Sequence, residues 1–196
     1  MPLRPSAPLR HRAPKAHARG FTLIEVMVVV AIVAVLAALA APSFTPLLER
    51  WRVRSAVEGL QSTLYFARSE AIKRGGNVIV QKLPNGTNGC TLAPTGDDWG
   101  CGWSVCTITT AAGTCPISGP AILQRFDAPS KVQVSRTSGG ARIVLNRWGL
   151  VDGDFVGFSL VPDTKSTNDP AARGVCMSSG GRIRVIPPAD IPCTSG

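Results

Sequence analysis

The sequence predicts an α+β protein in which a long N-terminal helix packs on a C-terminal antiparallel β-sheet domain. Three observations lead to this fold class. An apolar run and an amphipathic segment follow one another over residues 21–75, which is typical of one long helix. Beyond it, seven short runs typical of strands are separated by turn residues such as Asn85-Gly86 and Gly180-Gly181. They cover residues 77–82, 102–108, 121–126, 132–137, 141–148, 155–161 and 174–186. No helical crossover of sufficient length separates these runs, which favours antiparallel hairpins over a parallel sheet.

The chain is predicted to contain four segments. Residues 1–20 form a basic leader, 21–41 the membrane-spanning half of the helix, 42–75 its amphipathic half, and 76–196 a disulfide-containing antiparallel β domain. A length of 196 residues accommodates one globular domain plus an anchor. We therefore expect one hydrophobic core.

The leader accounts for much of the basic character of the chain. Five of the 21 basic residues lie in the first twenty positions, with no acid among them: Arg4, Arg10, Arg12, Lys15 and Arg19. Without these five, 16 basic residues face 12 acidic ones, and the formal net charge falls from +9 to +4. Because the cations precede the apolar run, the N-terminus is predicted to be cytoplasmic and the C-terminal domain to lie across the membrane.

The apolar run at residues 21–41 has three interpretations. It carries one charge, Glu25, and as a helix would extend about 31 Å, enough to cross a bilayer. It can be a plain signal anchor, or a secretory signal cleaved after Ala40 at an A-x-A site, which would release a secreted periplasmic binding domain. In the third interpretation, cleavage between Gly20 and Phe21 frees an amino group that neutralises the glutamate of a neighbouring subunit, since a charge in an apolar span needs a partner.

The segment beyond Pro42 is amphipathic. Proline lacks a backbone donor, so the helix is expected to kink or be interrupted there. Apolar residues then recur at three- and four-residue spacing, which predicts one helix face packed on a sheet: Val53, Ala56, Val57, Leu60, Leu64, Ala67 and Ala71. Gly75-Gly76 predicts the end of the helix.

The composition argues against catalysis. Both histidines, His11 and His17, lie in the leader, so the rest of the chain lacks the imidazole of Ser-His-acid and Cys-His systems and of histidine metal sites. The acids are scattered singly or occur as Asp97-Asp98 in a Gly-rich loop. We expect a protein that is not an enzyme and that holds no cofactor and no metal.

Six cysteines lie beyond the apolar run, in the compartment where disulfides form: Cys90, Cys101, Cys106, Cys115, Cys176 and Cys193. Sequence alone leaves fifteen connectivities open. Proximity suggests the pairs Cys176–Cys193, Cys90–Cys101 and Cys106–Cys115. A zinc site formed by the first four cysteines is the alternative, although no C-x-x-C pair is present.

An alternating stretch near the C-terminus, residues 180–187, predicts a strand with Arg182 and Arg184 on one face and Ile183 and Val185 on the other. Arg173 adds a third cation to this acid-free region. Guanidinium groups held on a rigid strand can contact successive DNA phosphates without reading bases. The alternative is the solvated outer face of a sheet.

The junction Gly20-Phe21-Thr22-Leu23-Ile24-Glu25, followed by the Val/Ala/Leu run, resembles the processing site of type IV pilins and type II secretion pseudopilins. The resemblance implies a pilin-like fold and a prepilin peptidase of the inner membrane that cuts after Gly20 and methylates Phe21. It also implies that Glu25 guides insertion into a growing filament and that Pro42 is the proline at which the long helix is interrupted.

Two further segments resemble the GspH/FimT branch of this family: Val53-Arg54-Ser55-Ala56 and the run of residues 67–75, ARSEAIKRG. Gly181-Arg182-Ile183-Arg184 resembles the GRxR motif of FimT-type minor pilins, which implies a DNA-binding site formed by Gly181, Arg182 and Arg184, with Arg173 nearby. The family also often closes its C-terminal segment with a cysteine pair.

The resemblance implies a minor type IV pilin of the FimT type. Such a subunit would sit in the inner membrane with a periplasmic C-terminal domain and then enter a tip or priming complex of the pilus. Its implied partners are other minor and major pilins or pseudopilins, the prepilin peptidase, the inner membrane and, during natural transformation, double-stranded DNA. The alternative within the family is an H-type minor pseudopilin of a type II secretion system.

Overall fold

A computed structural model describes residues 20–108, 113–116, 118–137, 139–151, 153 and 155–194, with the backbone alone at residues 40–43. The chain divides into two units, Met1–Pro42 and Ser43–Gly196, which are treated separately below. The predicted leader, residues 1–20, lies outside the described residues except for Gly20. Helix α1 is assigned from Leu23 to Arg74.

In the first unit, the helical residues from Leu23 to Leu39 are exposed along their whole length. Within the described residues, no single helix is both long and apolar enough to cross a membrane. The pair Leu23–Leu39 and Phe44–Arg74 meets that criterion together, by length and composition.

In the second unit, the helix from Phe44 to Arg74 contributes one face to the core. The seven residues of the predicted apolar stripe are all buried. At the end of the helix, the amide of Gly76 donates to the carbonyl of Ala71 at 2.7 Å, and both Gly75 and Gly76 have positive φ. The helix therefore ends at the predicted glycine pair, because residues with a side chain rarely adopt this backbone conformation.

Eight strands follow in the described part of the chain, and every pairing is antiparallel. They are β1 Val78–Lys82, β2 Gly102–Thr107, β3 Ile122–Asp127, β4 Val132–Arg136, β5 Arg142–Leu145, β6 Phe155–Pro162, β7 Arg173–Ser178 and β8 Ile183–Ile186. Sheet 1 has the order β3-β2-β1-β5 and sheet 2 the order β4-β6-β7-β8. The predicted α+β fold class is confirmed.

Both sheets contribute to a common core with the helix stripe. Trp99, Trp103 and Phe158 are among its largest fully buried side chains. The indole N–H of Trp103 donates to the hydroxyl of Thr63 on the helix at 2.9 Å, which satisfies two buried polar groups at once. Because the same helix face packs against both sheets, it fixes the positions of the strands and of the turns that join them.

Two predicted strand runs are corrected by the structure. The run over residues 141–148 ends as a strand at Leu145, because the side-chain oxygen of Asn146 accepts from the amides of Trp148 and Leu150 and folds a turn. The run over residues 174–186 is two strands, β7 and β8, joined by a turn in which the amide of Gly181 donates to the carbonyl of Ser178.

Three disulfides join the cysteines in the pairs that proximity suggested: Cys90–Cys101, Cys106–Cys115 and Cys176–Cys193. Two of them fix segments on the outer faces of the sheets. The amide of Cys115 donates to the side chain of Gln81 in β1, and Cys193 packs with Cys176 and Ile186 in a small second cluster. The outer face of sheet 2 is therefore covered near its C-terminal end.

Candidate processing and nucleic-acid sites

The predicted cleavage site lies immediately before the helix. Gly20, Phe21 and Thr22 precede the first helical residue, Leu23, and the side chain of Phe21 is exposed. A peptide bond outside a helix and exposed to solvent has no helical hydrogen bonds to break before a peptidase can reach it. The geometry at this junction is therefore compatible with cleavage.

Thr22 caps the helix that begins after it. The backbone amide of Glu25 donates to the hydroxyl of Thr22 at 3.2 Å, so the two residues occupy the first and fourth positions of a capping box. This N-cap was not predicted from the sequence, although Thr-x-x-Glu before an apolar run is a known signal. A carboxylate in the first helical turn also interacts favourably with the helix dipole.

The predicted effect of Pro42 falls on residues 40–43, whose side chains lie outside the description.

The four residues of the predicted DNA site do not form one cluster. Side chains along β7 alternate between the two faces of sheet 2, so Arg173 is on the same face as Val175 and Met177, which point into the core. Arg184 in β8 pairs with Cys176 of β7 and shares its outer face. Arg173 and Arg184 are therefore on opposite faces of sheet 2. Arg173, which the sequence places in the same acid-free region, therefore does not extend the strand face of Arg184.

Arg184 lies under the C-terminal segment and is only partly exposed. It lines a cavity of about 500 Å³ together with Ile186, Asp190 and Cys193. The sequence predicted a flat strand face here. The difference arises because the Cys176–Cys193 bond folds the last residues back over the strand.

Arg182 precedes strand β8 and is exposed in the β7–β8 turn. The carbonyl of Arg182 accepts from the amide of Ser178, which closes the turn. Val185, predicted to share a face with Ile183, is 40% exposed because β8 is the edge strand of sheet 2. Of the three arginines, Arg182 is the exposed one, whereas Arg173 and Arg184 are half-buried.

Gly181 has a structural task that the sequence did not indicate. Its φ is +81°, and its carbonyl accepts from Nη1 of Arg68 on the helix at 2.6 Å. A Cβ at this position would lie 2.6 Å from Cζ of Arg68. A Cβ at Gly181 would therefore strain the backbone and displace the Arg68 guanidinium, independently of any ligand of the turn.

Arg68 also contacts Gly149 in the β5–β6 turn, which brings a second exposed loop beside the first. This loop carries Trp148, which is 64% exposed, and Arg147, whose Cζ lies 5.1 Å from the centre of the indole. We missed Arg147 and Trp148 in the sequence. No local pattern marks them, because the two turns are brought together by Arg68, on a helix more than 70 residues before either turn.

The acids at positions 97 and 98 hold the loop before β2. A carboxylate oxygen of Asp97 accepts from the amide of Gly140 at 2.6 Å, and one of Asp98 accepts from the amide and hydroxyl of Thr95. Burial lowers the pKa of the Arg136 guanidinium, an effect that the nearby charge of Asp97 partly opposes. Burial likewise lowers the pKa of Lys82, against the charges of both aspartates. These carboxylates stabilise the fold.

Two family profiles match the chain. The profile of the prokaryotic N-terminal methylation motif matches residues 15–41, and that of the type II transport protein GspH matches residues 56–181, more than half of the chain. The chain belongs to the GspH family. The GspH match begins inside the helix stripe and ends at Gly181, so it covers the helix end, both turns that meet at Arg68 and seven of the eight strands.

Solved structures extend the comparison. This GspH-family chain is similar to the type IV minor pilin FimU of Pseudomonas aeruginosa, with 23% identity, a TM-score of 0.56, and coverage of 75% of this chain and 96% of FimU. A second crystal form of FimU gives a TM-score of 0.53 at the same identity, with 72% and 98% covered. The minor pseudopilin EpsH of the Vibrio cholerae Type 2 Secretion System gives 0.48 at 13% identity, with 70% and 98% covered. No curated protein sequence matches significantly.

Proposed function

We propose that the protein is a minor subunit of a pilin-type filament. It would be made with a leader, cut between Gly20 and Phe21, methylated on Phe21, and inserted through its N-terminal helix. The observation that carries the proposal is the occurrence, in one chain, of the N-terminal methylation motif at residues 15–41 and the GspH domain at residues 56–181. Before assembly the chain would lie in the bacterial inner membrane as a single-pass protein, with a cytoplasmic N-terminus and a periplasmic C-terminal unit.

The mature N-terminus tests the processing step. The full chain is expressed with a prepilin peptidase, and its first residue is determined by mass spectrometry of the terminal peptide. We expect N-methylated Phe21. A mature protein that starts at Ala41 would instead establish the secreted binding domain, and retention of Met1 would establish an unprocessed anchor.

Glu25 is proposed to act in assembly, since a carboxylate within an apolar segment is stabilised by the amino group of an adjacent subunit. We expect Glu25→Gln to be cleaved normally and to enter the sheared filament fraction poorly. Glu49→Gln, a matched change on the same helix, serves as the control and should assemble as wild type. Equal assembly of both variants would contradict the proposed role.

The filament is proposed to be a type IV pilus, on the resemblance of the turn around Gly181 to that of FimT-type minor pilins. The type II transport protein in the family description supports the H-type pseudopilin of a secretion system as the alternative. Deletion of the gene separates the two machines. Loss of surface pili with normal protein secretion supports the pilus, and the reverse result supports the secretion system.

Contact with double-stranded DNA is proposed as a second activity of the pilus subunit, and the exposure of Arg182 is the observation that favours it. A single arginine supplies few phosphate contacts, so Arg147 in the adjacent loop is expected to assist. In a gel-shift titration of the full chain in detergent, Arg182→Ala should weaken binding and reduce its salt dependence, whereas Lys165→Ala in an exposed loop should not. Identical titrations for the two variants would remove the proposal.

A further inference from the structure

The structure reveals a groove between the helix and the free edge of sheet 2. Its volume is about 500 Å³. Arg50 and Arg54, one turn apart on the helix, line one side, and Arg173 at the start of β7 lines the other. Residues more than 100 positions apart in the sequence therefore place three guanidinium groups around one space.

The floor and the remaining wall of the groove are mostly apolar or neutral, formed by Val57, Gln61, Ala171 and Val185. Among the described residues that line it, Glu58 is the one acid, and its carboxylate pairs with Arg54 at 2.9 Å on the exposed side of the helix. Three cations against one carboxylate leave a local excess of positive charge, which favours an anionic ligand.

Arg173 is held in place before any ligand arrives. Its Nη1 donates to the carbonyls of Pro170 and Ala172, at 2.9 Å and 2.6 Å. Fixing one arm of the guanidinium orients the rest of the planar group and reduces the side-chain entropy lost on binding. A planar, oriented guanidinium is suited to the paired oxygens of a phosphate or carboxylate.

No pattern in the sequence distinguishes Arg50 and Arg54 from Arg52, which lies between them. In the structure, Arg52 lines a different pocket, with Glu49, Lys131 and Asp163. That pocket contains two acids and two cations, so it carries no comparable excess charge. Arg52 therefore provides a matched control: the same residue type on the same helical turn, outside the groove.

We propose that Arg50, Arg54 and Arg173 form a binding site for a phosphate group, and that its source is the head group of an anionic membrane lipid. Apolar side chains beside three cations suit an amphiphile whose phosphate adjoins hydrocarbon chains, and Arg50 follows the end of the apolar run, Ala41, by nine residues in the sequence. Soluble phosphate esters share the same chemistry and are separated from lipid by the experiment.

The first arm of the experiment measures lipid binding. Full-length protein in detergent is titrated with phosphatidylglycerol and, separately, with zwitterionic phosphatidylcholine, and bound lipids are counted by native mass spectrometry. We expect preferential binding of phosphatidylglycerol. Arg50→Ala and Arg173→Ala should each weaken it about five- to tenfold, the usual loss for one charge-assisted hydrogen bond, whereas Arg52→Ala should leave it unchanged.

The second arm uses glycerol 1-phosphate, followed by phosphorus NMR with the same variants. If the Arg50 and Arg173 substitutions weaken binding of phosphatidylglycerol alone, the ligand of the site is a lipid head group. If they weaken binding of both probes, the site recognises the phosphate group itself. Arg173→Lys keeps the positive charge but lacks the paired N–H donors of the guanidinium, and Arg50→Ala changes a residue on the exposed helix surface. These variants remain informative if Arg173→Ala does not fold. Equal binding by the groove variants and Arg52→Ala overturns the proposal, as does binding of polyglutamate with no response to either phosphate probe.

Discussion

Replacing Gly181 with alanine is expected to destabilise the C-terminal unit by about 2.5–5 kcal/mol. Two effects contribute. A residue with a Cβ at a φ of +81° costs about 1–2 kcal/mol. The new Cβ would also lie 2.6 Å from Cζ of Arg68, which displaces the guanidinium and breaks its hydrogen bond to the Gly181 carbonyl. A hydrogen bond to a charged group contributes about 1.5–3 kcal/mol.

Thermal unfolding of the full chain in detergent, followed by near-ultraviolet circular dichroism, measures this effect. A loss of this size lowers the Tm of a unit of this length by about 5–20 °C. Gly180→Ala is the matched control, because a Cβ there meets only the hydroxyl of Ser178, at 3.7 Å. Equal Tm values for the two alanine variants would refute the reasoning. In an Arg68→Ala background, Gly181→Ala should cost less than in the wild type, since the clashing group is gone.

Three further substitutions test contacts made by the helix: two alter its packing, and one changes an ion-paired residue on its surface. Gly59→Ala should destabilise by about 1–3 kcal/mol in denaturant titrations, because a Cβ at Gly59 overlaps the ring of Phe126, although alanine has the higher helix propensity. Thr63→Val should cost about 1–3 kcal/mol, since it leaves the buried indole N–H of Trp103 without its acceptor. Glu70→Gln should lower the Tm slightly at neutral pH, with a difference that disappears in acid.

The acid dependence follows from the direction of the Glu70 shift. The hydrogen bond from Arg74, aided by the charges of Lys73 and Arg74, lowers the pKa of Glu70 below its ordinary 4.5, against a smaller opposing effect of burial. Its stabilising contribution is therefore present above pH 4.5 and is lost as the pH falls through the lowered pKa of the folded state. A Tm difference that persists unchanged below that range would contradict the assignment.

Controls exist for the two packing substitutions. Thr63→Ser keeps the hydroxyl that accepts from Trp103, so it should cost clearly less than Thr63→Val. Phe126→Leu in a Gly59→Ala background removes the ring that a Cβ would meet, and the penalty of the alanine should shrink. Phe126 also stacks on Trp103 at 4.6 Å, so Phe126→Leu is measured alone as the reference.

The elements that could be predicted are those encoded by local patterns. The helix stripe from Val53 to Ala71 repeats every three to four residues, and the glycine pair after Arg74 marks its end. Six of the seven predicted runs correspond to single strands for the same reason, because alternation and turn residues lie within a few positions of each other. The short cysteine spacings likewise limited which pairs could meet easily.

The site was harder to predict, because its geometry depends on contacts between distant segments. Whether Arg184 is open to solvent depends on the fold-back of the C-terminal segment to Cys176. The grouping of Arg173 with Arg50 and Arg54 depends on how the helix crosses the edge of sheet 2. Alternation correctly predicts which face of a strand a residue occupies, but not which segment covers that face.

These placements change how mutations in the Gly181–Arg184 segment are to be interpreted. Gly181 supports the helix through Arg68, and Arg184 lies under the C-terminal segment, so loss of DNA binding on changing either residue can follow from altered structure alone. Arg182 makes its backbone contacts within the turn and exposes its side chain. The proposed nucleic-acid role is therefore best tested at Arg182 and in the neighbouring loop of Arg147 and Trp148.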